Sequence, residues 1–168
     1  MNEPLAAFFR YNAWANEALI EACRPLAEEQ LDARGEATYG TIRELLMHYL
    51  GSQEVYLSDL RGGVRDKDHW RRHPWPGLDA IAAFSMASSA ALLVVAANLE
   101  ADEEVTFMME LDDPKRALKS LLLVQALQHA TEHREQICAT LTRIGVPPPD
   151  LSGWAFRDAT QRQGDLEA

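Results

Sequence analysis

Two histidines, His129 and His133, are spaced four residues apart in a segment with helical periodicity. Four residues of α-helix advance about 40° beyond one full turn, so both imidazoles lie on the same helix face. A pair at this spacing can supply two nitrogen ligands to one metal ion from a single rigid element. The pair is therefore a candidate metal site, although such pairs also occur by accident on helix surfaces.

The face on which the pair lies favours the metal interpretation. His129 and His133 fall within the apolar stripe of their segment, which we predict to consist of Leu118, Leu122, Ala126, Ile137 and Ile144. An unpaired polar group in a protein core costs about 1–3 kcal/mol, so two neutral imidazoles there need partners. One metal ion would satisfy both.

A catalytic site of this type needs a third protein ligand and an open coordination position. The candidate is His48, which has core-forming neighbours at helical spacing: Leu45, Leu46, Val55 and Tyr56. Histidines from two facing helices would then form a three-nitrogen site inside a bundle. Three residues at helical spacing are candidates to orient an imidazole through its other nitrogen, namely Gln125 for His129, Gln136 for His133 and Glu44 for His48.

Glu132 is a candidate catalytic residue. Residues 129–133 match the His-x-x-Glu-His pattern, in which the glutamate acts as a general base. A protease of that class needs a ligand well downstream, and only 35 residues follow His133, so a peptidase is not expected. Glu132 either shuttles a proton or is a solvated carboxylate that pairs with Arg134 or Gln136.

Four segments with helical periodicity position these residues: about Pro4 to Cys23, Thr41 to Leu60, Leu78 to Asn98 and Lys115 to Ile144. The second begins with a capping box, Thr41 to Glu44. Apolar residues alternate with mostly polar ones from Glu104 to Leu111, which predicts a short strand. We therefore predict an all-α fold, a four-helix bundle with a short strand or hairpin between the third and fourth helices.

Length and composition limit the domain count and the partners. The chain has 168 residues, of which 47% are hydrophobic, and we predict a single domain over residues 1–168 with a C-terminal tail from about residue 150. A short helix is expected in the tail, around residues 154–162. The formal charge of −10 argues against nucleic acid and anionic membranes as partners.

Cysteine usage and apolar runs predict a cytoplasmic location. Cys23 and Cys138 do not form a Cys-x-x-Cys pair, and charged residues interrupt the start of the chain before the apolar core of a signal peptide could form. The longest apolar run, 90–99, is shorter than the ~20 residues that span a bilayer. His69 and His73 lie in a loop with Trp70 and Trp75, and we do not expect them to be ligands.

Three separated segments of the sequence resemble motifs of the DinB-like (DNA-damage-inducible) family of the DinB/YfiT-like superfamily. Residues 11–16 are similar to its opening motif, and Thr41–His48 is similar to its second-helix motif. Residues 129–137, followed by Gly145, resemble its His-x-x-x-His-Arg-x-Gln-Ile signature, with Glu135 where the family has glycine. The resemblance covers most of the chain, and it implies no role in DNA binding.

The resemblance implies a four-helix bundle, commonly a homodimer, in which His48, His129 and His133 hold a divalent metal ion such as zinc or nickel. Such an ion lowers the pKa of a bound water towards ~7 or deprotonates a bound thiol. Relatives include thiol-dependent S-transferases. We therefore predict a metal-dependent hydrolase or a thiol S-transferase that uses a low-molecular-weight thiol and a small-molecule substrate. The alternative is a non-catalytic homodimer that binds a metal or a small molecule.

Overall fold

The protein is mostly helical and has a small two-stranded antiparallel sheet. The computed structural model describes residues 1–65, 73–110 and 112–166. In chain order its elements are α1 (Glu3–Cys23), α2 (Glu28–Leu31), α3 (Ile42–Leu60), α4 (Leu78–Ala97), β1 (Glu104–Met108), β2 (Pro114–Leu118), α5 (Lys119–Arg143) and α6 (Gly153–Leu166). The four long helices of the prediction are confirmed as elements, and α2 was not predicted.

The capping box at the start of α3 is confirmed. The Thr41 hydroxyl accepts a hydrogen bond from the Glu44 N–H at 3.3 Å, and the Glu44 carboxylate accepts one from the Thr41 N–H at 2.8 Å. Two backbone donors that the helix leaves unpaired are thereby satisfied. The helix ends at Leu60, and Gly62 then adopts a left-handed conformation with φ +74°. These local signals fix the position of His48 two turns inside a well-defined helix.

The predicted start of the last helix at about Lys115 is wrong. Pro114–Leu118 forms β2, which pairs with β1 in the register Glu104↔Leu118 to Met108↔Pro114. Pairing with β1 holds this segment in extended backbone, so α5 begins only at Lys119. Leu118 is consequently 44% exposed and is not part of the apolar stripe. The predicted strand is confirmed over β1, and Leu111 lies outside the described residues.

The long helices pack pairwise, α1 against α4, α4 against α3, α3 against α5, and α5 against α1. Their buried side chains form two apolar clusters. One cluster includes Leu19, Ile20, Leu45, Leu46, Tyr49 and Ile137, and the other includes Phe9, Tyr56, Leu57, Leu92, Leu122 and Leu123. Between them along α1, α3 and α4 lie buried polar residues, so a polar layer separates two apolar regions of the core.

Arg134 is the centre of this polar layer. Its side chain is 1% exposed, and Nη1 donates hydrogen bonds of 2.7 Å to the Oδ1 atoms of both Asn12 and Asn16. Nη2 donates to the Thr131 hydroxyl at 3.0 Å. Burial lowers the pKa of the guanidinium. Its acceptors are neutral oxygens, which hold α5 at a fixed rotation against α1.

The polar layer extends from Arg134 to the other two long helices. Asn12 donates to Gln53 of α3 at 3.1 Å, and Gln53 donates to Ser88 of α4 at 3.2 Å. Asn16 donates to Ser89 of α4 at 3.2 Å. Each long helix therefore contributes at least one side chain to a continuous set of buried hydrogen bonds. A continuous, satisfied network of this kind specifies one relative arrangement of the helices.

Helix α4 meets the length and composition criteria for a membrane span within the described part of the chain. It has 20 residues and a mean hydropathy of 2.1. The prediction from the sequence considered the apolar run 90–99 and therefore did not identify this longer apolar helix. A core helix of a soluble protein meets the same criteria, and α4 packs against α1 and α3. The cytoplasmic location therefore stays a prediction.

The tail contains a helix, as predicted. α6 spans Gly153–Leu166 and packs on α1, where the Phe156 ring lies against Trp14 and Tyr11 with centroid distances of 5.5 and 5.8 Å. The Tyr11 hydroxyl also donates to the carbonyl oxygen of Leu151 at 2.8 Å. These contacts connect the tail to the first helix, and the single domain over residues 1–168 stays a prediction.

Replacing Thr41 with alanine should lower the free energy of unfolding by about 1 kcal/mol, because the N-terminal donor of α3 loses its acceptor. Urea unfolding of the metal-free protein, followed by circular dichroism, measures the change. Thr142→Ala is the matched control, since the one hydrogen bond that this exposed hydroxyl donates to a described residue goes to the Cys138 carbonyl within α5. Its expected effect is below about 0.5 kcal/mol. Equal effects of the two substitutions would contradict the role of the capping box.

Candidate metal centre

His48, His129 and His133 meet between α3 and α5. Each offers one ring nitrogen such that the three atoms lie within 4.8 Å of one another. The ring centroids are 4.5 Å apart for His129 and His133, and His48 lies 5.0 and 4.7 Å from these two rings. His133 is buried, and the other two are half-buried. The structure therefore brings together the three residues selected from the sequence.

The spacing of the nitrogen atoms suits a single small cation. His129 Nε2 and His133 Nε2 are 3.2 Å apart. Two nitrogens bound to one tetrahedral ion at 2.0–2.1 Å would be about 3.3 Å apart. His129 Nδ1 is also buried and has no hydrogen-bond partner among the described residues. The separation of the two Nε2 atoms and the three clustered nitrogen donors therefore fit a divalent metal ion.

Gln136 fixes which nitrogen of His133 faces the cluster. Gln136 Oε1 accepts a hydrogen bond from the backbone N–H of Tyr39 at 3.2 Å and lies 3.1 Å from His133 Nδ1. A backbone N–H can only donate, so the facing atom of the amide is its oxygen and His133 Nδ1 carries the proton. The Nε2 lone pair then points towards the other histidines. The predicted contact of Gln136 with the second nitrogen of His133 is confirmed, and its role in orienting a metal ligand stays a prediction.

The other two predicted orienting residues have different partners. Gln125 Nε2 contacts the Tyr56 hydroxyl at 3.4 Å, and Glu44 accepts the hydrogen bond that caps α3. Both predictions were wrong because helical spacing limits the reach of a side chain but does not choose between competing partners. His129 is instead flanked by the Tyr56 ring, with a centroid distance of 5.9 Å.

Tyr39 covers one face of His48 and was not selected from the sequence. Its ring stacks on the imidazole with a centroid distance of 4.1 Å and an interplanar angle of 20°, and it meets the His133 ring edge-on at 5.8 Å. Tyr39 lies in the connection between α2 and α3, where Ala37 has a positive φ of 55°. Loop residues lack periodicity, so their approach to a site has no signal in the sequence pattern.

The local environment keeps the three imidazoles neutral. Burial, followed by repulsion from neighbouring imidazoles, lowers the pKa of His48 to about 4 and that of His129 to about 3. Burial also lowers the pKa of His133, although the hydrogen bond to Gln136 opposes the shift. At neutral pH each ring therefore has a free lone pair, which is the form that binds a metal ion.

A cavity of about 700 Å³ reaches the cluster from the side of His48. Its wall on α3 includes Met47, Ser52 and Val55, and Tyr39 and Trp75 contribute aromatic surface. The volume is within the range of small-molecule sites. His73 also lines this cavity, whereas His69 and Trp70 lie outside the described residues.

Glu132 is not one of the three clustered residues, but its charge acts on the cluster, because it opposes the lowering of the pKa of His133. The Glu132 side chain is exposed and accepts a hydrogen bond from Gln128 at 3.1 Å. It pairs with neither of the partners considered from the sequence, because Arg134 donates into the core and Gln136 contacts His133 and Tyr39. Glu132 does not belong to the described lining of the cavity, and its catalytic role stays a prediction.

Comparison with known proteins supports the assignment made from the motifs. The family model described as DinB family matches residues 1–165, which is nearly the whole chain. The protein therefore belongs to the DinB family. No curated protein matches the sequence.

Replacing His133 with alanine should abolish stoichiometric metal binding, because it removes one nitrogen donor and leaves two. Protein purified without a histidine tag is stripped of metal, incubated with Zn²⁺ or Ni²⁺, desalted and analysed by plasma mass spectrometry. We expect about one ion per chain in the wild type and in His73→Ala, and less than a tenth of that in His133→Ala. Equal metal content in all three proteins would contradict the site.

Replacing Gln136 with methionine should weaken metal binding by about ten- to a hundredfold, because His133 loses the acceptor that fixes its tautomer. Competition with a chromogenic chelator measures the dissociation constant. Gln128→Met is the control, since Gln128 contacts only the exposed carboxylate of Glu132 among its described partners. An unchanged affinity in Gln136→Met would show that the hydrogen bond does not position the ligand.

Proposed function

We propose that this DinB-family protein is a metal-dependent enzyme in which His48, His129 and His133 hold one divalent ion, zinc or nickel. The observation that carries the proposal is the convergence of three neutral imidazoles from two helices beside a cavity. We include in the proposal that α1, α3, α4 and α5 form a four-helix bundle, in a single domain that acts as a homodimer.

The donor set favours an activating role for the ion. Three neutral ligands leave the charge of a divalent cation uncompensated, and such an ion lowers the pKa of a bound water or thiol. The residues of the chain then have separate tasks. Gln136 keeps the Nε2 lone pair of His133 available, Tyr39 shields one face of His48, and the cavity wall offers apolar surface to a bound small molecule.

The cysteines of the chain favour an external nucleophile. Burial raises the pKa of Cys23 to about 12 and that of Cys138 to about 11, so neither thiol is ionised at neutral pH. These are the two cysteines in the sequence. A thiol S-transferase with this architecture would therefore take a low-molecular-weight thiol from solution, while a hydrolase would use water. A non-catalytic metal or small-molecule binder remains the alternative function.

Metal-loaded wild-type protein should accelerate either the reaction of a low-molecular-weight thiol with 1-chloro-2,4-dinitrobenzene or the hydrolysis of 4-nitrophenyl acetate. Removing a ligand in His133→Ala should lower kcat/KM at least a hundredfold in the active assay, whereas Gln128→Met should retain the wild-type value. Both reactions are followed by absorbance. Stoichiometric metal without acceleration in either assay would favour the non-catalytic binder.

A further inference from the structure

Two arginines line the cavity beside His48 in a strongly acidic protein. The formal charge of the chain is −10, yet two arginines, Arg34 and Arg43, line the cavity. Glu44 is the carboxylate among the described lining residues, and it accepts the hydrogen bond that caps α3. Arg34 and Arg43 are therefore the candidate groups for binding an anionic small molecule in this cavity.

Arg43 already has partners for its charge. Its Nε lies 2.6 Å from an Asp32 carboxylate oxygen, and its Nη2 lies 3.1 Å from that of Glu28. The guanidinium also lies over the Trp75 ring, 5.6 Å from its centroid. Arg43 therefore contributes to the shape of the cavity wall, while its charge is paired with carboxylates of α2 and of the residue that follows it.

Arg34 differs from Arg43. Its backbone is fixed by hydrogen bonds, whereas its guanidinium forms no ion pair with a described residue. Its backbone forms an antiparallel bridge with Thr41, and its carbonyl oxygen accepts a hydrogen bond from Arg143 at 2.5 Å. Within residues 1–65, 73–110 and 112–166, no carboxylate forms an ion pair with the side chain. Arg34 is thus an exposed cation on a fixed backbone, without an ion-pair partner in the described part of the chain, which suits it to binding an anion.

We propose that the cavity binds a small carboxylate ligand, with the carboxylate on Arg34 and the apolar part against Met47, Val55 and Trp75. A guanidinium presents two parallel N–H donors that match both oxygens of a carboxylate. The three apolar side chains line the same cavity as Arg34 and His48. As a statement of substrate class the inference rests on the proposed function, since the reactive group of the ligand would lie towards His48.

The test uses metal-free protein, so that carboxylate binding to a metal does not contribute. Isothermal titration calorimetry compares 4-phenylbutyrate with the uncharged 4-phenylbutyramide, which has nearly the same shape. Wild-type protein should bind the carboxylate at least tenfold more tightly than the amide. Arg34→Gln should remove this preference without weakening amide binding. Arg34→Lys should retain part of it, because the charge remains without the planar pair of donors.

Arg61→Gln is the matched control, since Arg61 is an exposed arginine at the C-terminal end of α3 and is not among the described lining residues. It should leave the preference unchanged. Equal affinity for carboxylate and amide, an unchanged preference in Arg34→Gln, or no binding of either probe would overturn the proposal. Failure of the metal-site proposal would not by itself overturn the carboxylate proposal, because this experiment contains no metal. A carboxylate preference without stoichiometric metal binding would support an anion site in a non-catalytic binder.

Discussion

The rotation of α5 about its own axis is the constraint on which the site depends. Neighbouring residues of a helix point about 100° apart, so Arg134 and His133 face different neighbours. The buried guanidinium binds Asn12 and Asn16 of α1, and His133 thereby faces His48 of α3. A different rotation would leave a buried cation without acceptors, which costs several kcal/mol. The polar layer thus determines the direction of the metal-binding face.

The features that could be predicted from the sequence are those set by local interactions. Thr41 and Glu44 are three residues apart, so their capping box needs no other part of the fold, and the spacing of His129 and His133 follows from helix geometry. The start of α5 could not be predicted, because Pro114–Leu118 becomes a strand only when β1 pairs with it. Tyr39 and Arg34 come from a connection without periodicity. Asn12, Asn16 and Gln53 did carry a signal, as polar residues at core positions of helices.

Burial is the main cause of the protonation states of the three histidines and the two cysteines. The low pKa values of the three imidazoles follow mainly from burial, so an approaching cation competes with few protons at neutral pH. The same burial keeps the two thiols protonated. At neutral pH the protein therefore offers neutral nitrogen donors, while its two thiols are protonated and are poor nucleophiles. Membership of the DinB family and this donor set are compatible with a metal site, on which the proposed metal-dependent activity rests.

One oxygen atom, Oε1 of Gln136, is shared between the ring of His133 and the backbone of Tyr39. A cation bound to Nε2 of this imidazole would withdraw electron density from the ring. The Nδ1–H group that faces the oxygen would then be a stronger hydrogen-bond donor. A cation bound by the three histidines would therefore act on an atom that also holds the loop carrying Tyr39. Any coupling between the loop and the occupancy of the histidines would be reciprocal.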